Sequence, residues 1–284
     1  MPYQSPPYSP NITAWAKPMW QAWVCVWGVF FPLFAAADMG LQAGVFTKDT
    51  LRFYLRPEYF IWEEYADAAG TRLLQETGAR VRVGFNFASQ QMTRLGDPTN
   101  WNIDVSVFNG TVQYDGATMA GIPLTTSTEY NGANATLSSE IRIADSQKLA
   151  ADFILSVMGD IWSRQIVSTA NATGYTENYT IVTATGGVRI LPALNSKKQI
   201  AVELGLRYPI YTQEDVSVVN ITLNPTPAFG YYGKLDLANL VPFKQRSVGL
   251  ALTYDLIRFD QSPPAYGYIQ PMSKMQLIGL QINF

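Results

Sequence analysis

The sequence predicts an all-β chain closed as an antiparallel up-and-down barrel of about ten strands that spans a lipid bilayer, with eight strands as the alternative count. Three observations predict it. First, apolar residues alternate with small or polar ones in run after run from Leu51 onward, up to Ile278-Gly279-Leu280-Gln281-Ile282-Asn283-Phe284. Second, no stretch after Asp38 has helical periodicity of useful length, and none approaches the roughly 18 apolar residues of a spanning helix. Third, the runs recur about every 20 to 30 residues. Soluble sandwiches turn about every 8–12 residues, whereas tilted membrane strands of about 9–11 residues continue into loops. A strand with one greasy face must pair along its edges or it becomes an aggregation hazard, and closing a barrel leaves no edge.

The first predicted strand, Leu51 to Tyr65, sets Leu51, Phe53, Leu55, Tyr59 and Ile61 against Arg52, Arg56, Glu58 and Glu64. The second, about Leu73 to Phe87, sets Val81, Val83, Phe85 and Phe87 against Arg80, Arg82, Gly84 and Asn86. The third starts at Trp101, with Ile103, Val105 and Val107 opposing Asn102, Asp104 and Ser106; the fourth, around Ala133 to Ile143, opposes Leu137, Ile141 and Ile143 to Thr136, Ser138, Glu140 and Arg142. The fifth, Asp152 to Gln165, carries Asp152, Ser156, Asp160 and Arg164 on its polar side, and the sixth, Tyr179 to Ile190, carries Thr183, Thr185, Gly187 and Arg189. The seventh is the cleanest: Ile200, Val202, Leu204, Leu206 and Tyr208 against Ala201, Glu203, Gly205 and Arg207. The eighth, Phe229 to Leu237, opposes its apolar residues to Lys234 and Asp236; the ninth opposes Val248, Leu250, Leu252 and Tyr254 to Gly249, Ala251, Thr253 and Asp255; the tenth is the terminal one.

The connections alternate in length. Those at 145–148, 194–198 and 243–246 are short; those at 111–126, 168–177, 213–227 and 260–273 are long. Short turns on one side and long loops on the other are the asymmetry of membrane barrels. The link from Ala88 to Asn100 is long where a short turn is expected, and it motivates the eight-strand alternative. An apolar block from Trp20 to Ala37, preceded by Lys17 and ended by Ala35-Ala36-Ala37, has the order of a secretory signal cleaved after Ala37. A membrane anchor is the alternative reading. Residues 38–50 would lead into a barrel over 51–284. The one cysteine, Cys25, falls in the block, so the remainder has no thiol for a disulfide or a metal.

On these residues the chain resembles the small bacterial outer-membrane β-barrel proteins of the OmpA-like type. The resemblance rests on the alternating runs, the Ala35-Ala36-Ala37 region and the tail of Ile278, Leu280, Ile282 and Phe284, and covers architecture alone. It implies a Gram-negative outer membrane as location and its lipid as surroundings. It also implies a barrel-assembly machinery that reads those four tail residues during insertion.

On the non-lipid faces nine cations (Arg52, Arg56, Arg80, Arg82, Arg142, Arg164, Arg189, Arg207 and Lys234) match nine carboxylates (Glu58, Glu64, Asp104, Glu140, Asp152, Asp160, Glu203, Asp236 and Asp255). An unpaired charge away from water is costly, so they should pair across strands, and barrels this narrow are filled by their own side chains. A selective pore should instead show rings of one sign. Tyr54, Tyr59, Phe60, Trp62, Tyr65, Trp101, Tyr208, Tyr211, Tyr231, Tyr232 and Tyr254 are candidates for interfacial aromatic girdles.

The chain has no histidine, which removes the commonest general base, the Ser-His-Asp triad and histidine metal sites. Glu63 and Glu64 are adjacent, so a strand sends them to opposite faces. Glu214-Asp215 falls in an expected outer loop, as a solvated pair or weak cation site, and Gly186-Gly187 reads as a bend or close approach. The net charge of −2 offers no nucleic-acid footprint. The expectation is a non-enzymatic barrel, without cofactor or metal, that stabilises the envelope or presents its long loops to an outside ligand. A narrow porin-like solute channel is the second reading, and a soluble secreted lipid-binding barrel with inward apolar faces the third.

Overall fold

A computed structural model of the chain describes residues 46–92, 98–118, 121–192, 199–243 and 246–284. The block at 20–37 and most of the lead-in at 38–50 lie outside the described residues. Eleven strands follow in order: β1 (Phe46–Tyr65), β2 (Arg72–Met92), β3 (Pro98–Ala117), β4 (Pro123–Asp145), β5 (Leu149–Ile166), β6 (Thr176–Pro192), β7 (Gln199–Val216), β8 (Ile221–Leu223), β9 (Thr226–Phe243), β10 (Arg246–Asp260) and β11 (Met272–Asn283). Each wall strand pairs antiparallel with its neighbours, β6 with β7, β7 with β9 and β1 with β11, so ten strands close into a barrel. β8 is a three-residue outrigger on the end of β7.

The count settles on ten because β2 runs to Met92 and β3 starts at Pro98, which leaves only a short link where the sequence shows a gap from Ala88 to Asn100. The strands also run further than their apolar residues. β3 and β4 pair out to Ala117↔Pro123, so the expected long loop at 111–126 is a hairpin with a link at 118–122. Polar residues continue the ladder there because, beyond the lipid, both faces meet water. β1 likewise starts at Phe46, within the expected lead-in. Links at one end, here the turn end, are short, as at 146–148 and 244–245; at the other, the loop end, they span 66–71, 118–122, 167–175, 217–225 and 261–271.

The apolar faces point outward. Val202, Leu204, Leu206, Leu252 and Leu280 are all exposed, Leu204 by 63% and Leu252 by 52%. Water would not leave such a band bare; lipid covers it. An inward apolar face, which a soluble lipid-binding barrel requires, is excluded on these strands. Tyr59, Tyr208, Tyr211 and Tyr231 face outward as girdle residues should. Tyr54, Phe60, Trp62 and Tyr232 do not: they are buried in the barrel interior. The period of two explains it, since Phe60 and Trp62 share parity with Glu58, and Tyr232 with Lys234.

Interior glycines let side chains lie flat against the wall. A Cβ on Gly205 would fall 2.3 Å from Tyr232 Cε1, and one on Gly187 would fall 2.4 Å from Tyr232 Oη. The Gly187 position is thus the close approach expected of Gly186-Gly187.

Candidate functional site: the barrel interior

The interior has two storeys. Toward the loop end it is packed solid. Phe60 and Trp62 from β1 and Tyr130 from β4 have no exposed surface, and Trp162, Tyr179, Ile181, Phe259 and Leu277 join them. Trp62 meets Trp162 of β5, Tyr179 of β6 and Phe259 of β10, with ring centroids 5.7, 5.8 and 6.4 Å apart. Trp162 and Tyr179 stack at 4.0 Å, within 8° of parallel. Rings from walls several strands apart touch, so no bore remains at this level.

Arg164 of β5 completes the seal. It is 1% exposed, and its guanidinium donates to Glu177 at 2.5 Å, Glu76 at 2.8 Å and Glu64 at 3.2 Å. The remaining lone pairs are filled by neutral donors. Thr128 Oγ1 and the Tyr130 hydroxyl donate to Glu76, Trp62 Nε1 donates to Glu64 at 2.8 Å, and the Tyr179 hydroxyl donates to Glu177 at 3.1 Å. Glu214 lies beside them, with the Gln270 amide nitrogen 3.0 Å from its Oε2 in the orientation that satisfies both ends of the amide. Buried charges persist only when paired and hydrogen-bonded in this way.

Toward the turn end the interior opens into a chamber of about 740 Å³ with polar walls. Glu58 sits at its closed side, with Arg56 and Arg82 on one carboxylate oxygen at 2.8 and 2.6 Å and Arg80 on the other at 2.9 Å. Arg80 also lies over the Phe60 and Phe108 rings, 4.5 and 4.3 Å from their centroids, joining the chamber to the packed layer. Elsewhere each cation meets one or two carboxylates. Arg189 bridges Glu140 and Glu203, Arg207 binds Asp255, Lys234 binds Asp236, and Arg142 binds Asp152 and Asp145. Asp104 and Asp160 are held by the Tyr54 hydroxyl and the Asn134 amide rather than by cations. Arg52 has no partner among the described residues and is exposed at the chamber mouth.

The sequence therefore supplies the inward set but misses three of its members. Glu76 lies within the second predicted strand and keeps step with Arg80 and Arg82, a signal that was available. Glu177 keeps step with Tyr179 and Arg189 but falls in an expected loop. Glu214 corrects the expectation of a solvated Glu214-Asp215 pair: it is 1% exposed and interior, while Asp215 faces outward and accepts from Thr222. No spacing rule could find it, because the register between β6 and β7 shifts at Val182/Thr183 and reverses the parity of β7 past Pro209. Glu63, opposite in facing to Glu64 as expected, meets Lys274 at 2.7 Å outside the barrel. Among the tail residues Ile278 and Leu280 are exposed in the lipid band, Phe284 is exposed, and the Phe284 N–H donates to Phe53 O at 2.9 Å.

Comparison with known proteins agrees in architecture. The structure matches the outer-membrane protease OmpT from Escherichia coli with a TM-score of 0.50 and 6% identity, over 86% of this chain and 98% of that one. The chain has the fold of a bacterial outer-membrane β-barrel. The expected outer-membrane location accords with that fold. The structure is also similar to the translocator domain of the autotransporter NalP from Neisseria meningitidis (TM-score 0.38, 13% identity, 95% of this chain and 99% of that one) and to OprG from Pseudomonas aeruginosa (TM-score 0.33, 13% identity, 86% and 98%). No family model and no curated protein matches the sequence. At 6% identity the likeness to OmpT shows a shared fold and nothing finer.

Proposed function

We propose that this outer-membrane barrel is non-enzymatic and non-conducting, and acts at the cell surface through its loop end. The observation that carries the reading is the filled bore. Trp62, Trp162, Tyr179 and the Arg164 carboxylate cluster leave no path between the chamber and the loops. The absence of histidine from the chain supports a non-enzymatic role. The loop end supports surface display. In the link 261–271, Ala265 and Tyr268 exchange backbone hydrogen bonds around a two-residue turn, Tyr266-Gly267, with φ of 50° and 85°. That turn holds the Tyr266 ring 90% exposed, beside exposed Tyr268 and Ile269. A large side chain at positive φ is uncommon and strained. Its placement in open solvent, on a hairpin anchored by buried Ser262 and Gln270, suits a recognition tip. The assembly machinery is a second proposed partner, meeting the outward face of β11 at Ile278, Leu280 and Ile282 and the Phe284 beyond it.

The test is electrical and then biochemical. In planar bilayers the protein should give no steady openings, and openings of open-pore size would restore the channel reading. Surface binding to whole cells or matrix, lost on replacing 263–269 with a Gly-Ser turn while the barrel stays folded, would support display. Unchanged binding would count against it.

A further inference from the structure

Interior carboxylates outnumber cations in sum, but not in every place. On the β1–β2 wall four guanidinium groups, Arg52, Arg56, Arg80 and Arg82, are set against one carboxylate, Glu58. Three of them already crowd its two oxygens. Arg52, the fourth, has no hydrogen bond or ion pair among the described residues. Arg80 is 2% exposed and its Nε finds no acceptor. Neither Asp104 nor Asp160 comes within ion-pair distance of this group; each is held by a neutral donor instead. One carboxylate in contact cannot neutralise three enclosed cations, and Asp160 acts on Arg82 only from beyond ion-pair distance, so charge held out of bulk water here is costly until an anion meets it.

The surplus faces the chamber, which is closed toward the loops and lined down to Asn283 and Ala88 at the turn end. Its volume of about 740 Å³ lies within the ordinary range for small-molecule sites. Among the described residues Arg56 uses only its Nε, on Glu58, and its terminal nitrogens and the whole fork of Arg52 meet no acceptor there. Guanidinium forks match the oxygens of phosphate and carboxylate groups in pairs. We propose that the Arg52–Arg56–Arg80–Arg82 wall binds a small oxyanion group, of phosphate or carboxylate chemistry, entering from the turn end. The site is separate from the surface display proposed above and does not depend on it.

The experiment uses the whole chain folded in zwitterionic detergent micelles at low salt and titrates it with inorganic phosphate, sulfate and acetate in turn. The readout is the set of arginine Nε–Hε resonances. A saturable shift of the resonances on this wall is expected. In the Arg52→Gln/Arg56→Gln double variant the affinity should fall about tenfold or more, the loss of one charge-assisted contact or more. Arg258→Gln, on the outward face, should leave it unchanged. Glycerol phosphate binding more tightly than phosphate would assign the group to a larger molecule; the reverse would assign it to the free ion, and both support the site. No saturable shift with any of the anions would overturn the proposal, as would equal affinity in the folded double variant.

Discussion

Trp62 on β1 and Trp162 on β5 meet edge to face inside the barrel, 5.7 Å between ring centroids and 71° between planes. Three strands of wall, β2 to β4, separate them around the barrel, so their contact measures how completely the bore is filled at this level. Aromatic edge-to-face pairs add about 0.5–1.5 kcal/mol beyond their buried area.

Trp62→Ala should therefore cost about 3–5 kcal/mol, the usual range for deleting a large ring from a packed interior. Heat-modifiability gels should show the loss as a lower temperature for the shift from the folded to the unfolded band.

Arg164→Met should be more damaging than Glu177→Gln. The first leaves Glu64, Glu76 and Glu177 buried without their shared cation, and breaking such a set from one side costs about 3–5 kcal/mol. The second leaves Arg164 with two carboxylates. Urea titrations of both variants folded into vesicles would rank them, and an equal loss would show that the cluster does not act through Arg164.

Gly205→Ala should destabilise by about 1–3 kcal/mol, because the added methyl meets the Tyr232 ring. Adding Tyr232→Ala should recover part of that loss, so the double variant should be less damaged than the sum of the singles. Additive losses would place the clash on the backbone oxygen of Gly186 instead.

On the lipid face, Leu204→Arg should raise the free energy of folding into bilayers by about 2–4 kcal/mol. The same substitution at Val218, exposed in a loop, should change it little. Comparable effects at both sites would contradict the assigned lipid band.

Tyr266→Asn should leave the barrel as stable as before or slightly more so, since Asn tolerates the left-handed backbone that Tyr adopts there. If the ring is a recognition tip, surface binding should nevertheless fall. Retained binding together with raised stability would mean that Tyr266 carries no function.

How much of this was legible beforehand follows from what a strand can encode. Side chains on a strand take alternate faces, so the inward set from Arg52 to Asp255 and the outward set from Leu51 to Leu280 can be read one residue at a time. Where polar residues continue a ladder beyond the lipid, as at 111–126, that signal fades, and strand passes for loop. Where the register slips by one, as at Val182/Thr183, it inverts, and Glu214 passes for a solvated residue.

By itself the sequence determined the strand count to within two, the outward apolar band, the antiparallel closure and the identity of nearly every interior charge, because alternation is local. Only the tertiary structure decided which interior residues meet. Glu76 and Glu177 find Arg164, three arginines converge on Glu58, and Trp62 reaches Trp162 through the shear and curvature of the closed wall. Those depend on pairings distant in sequence, which no local pattern carries.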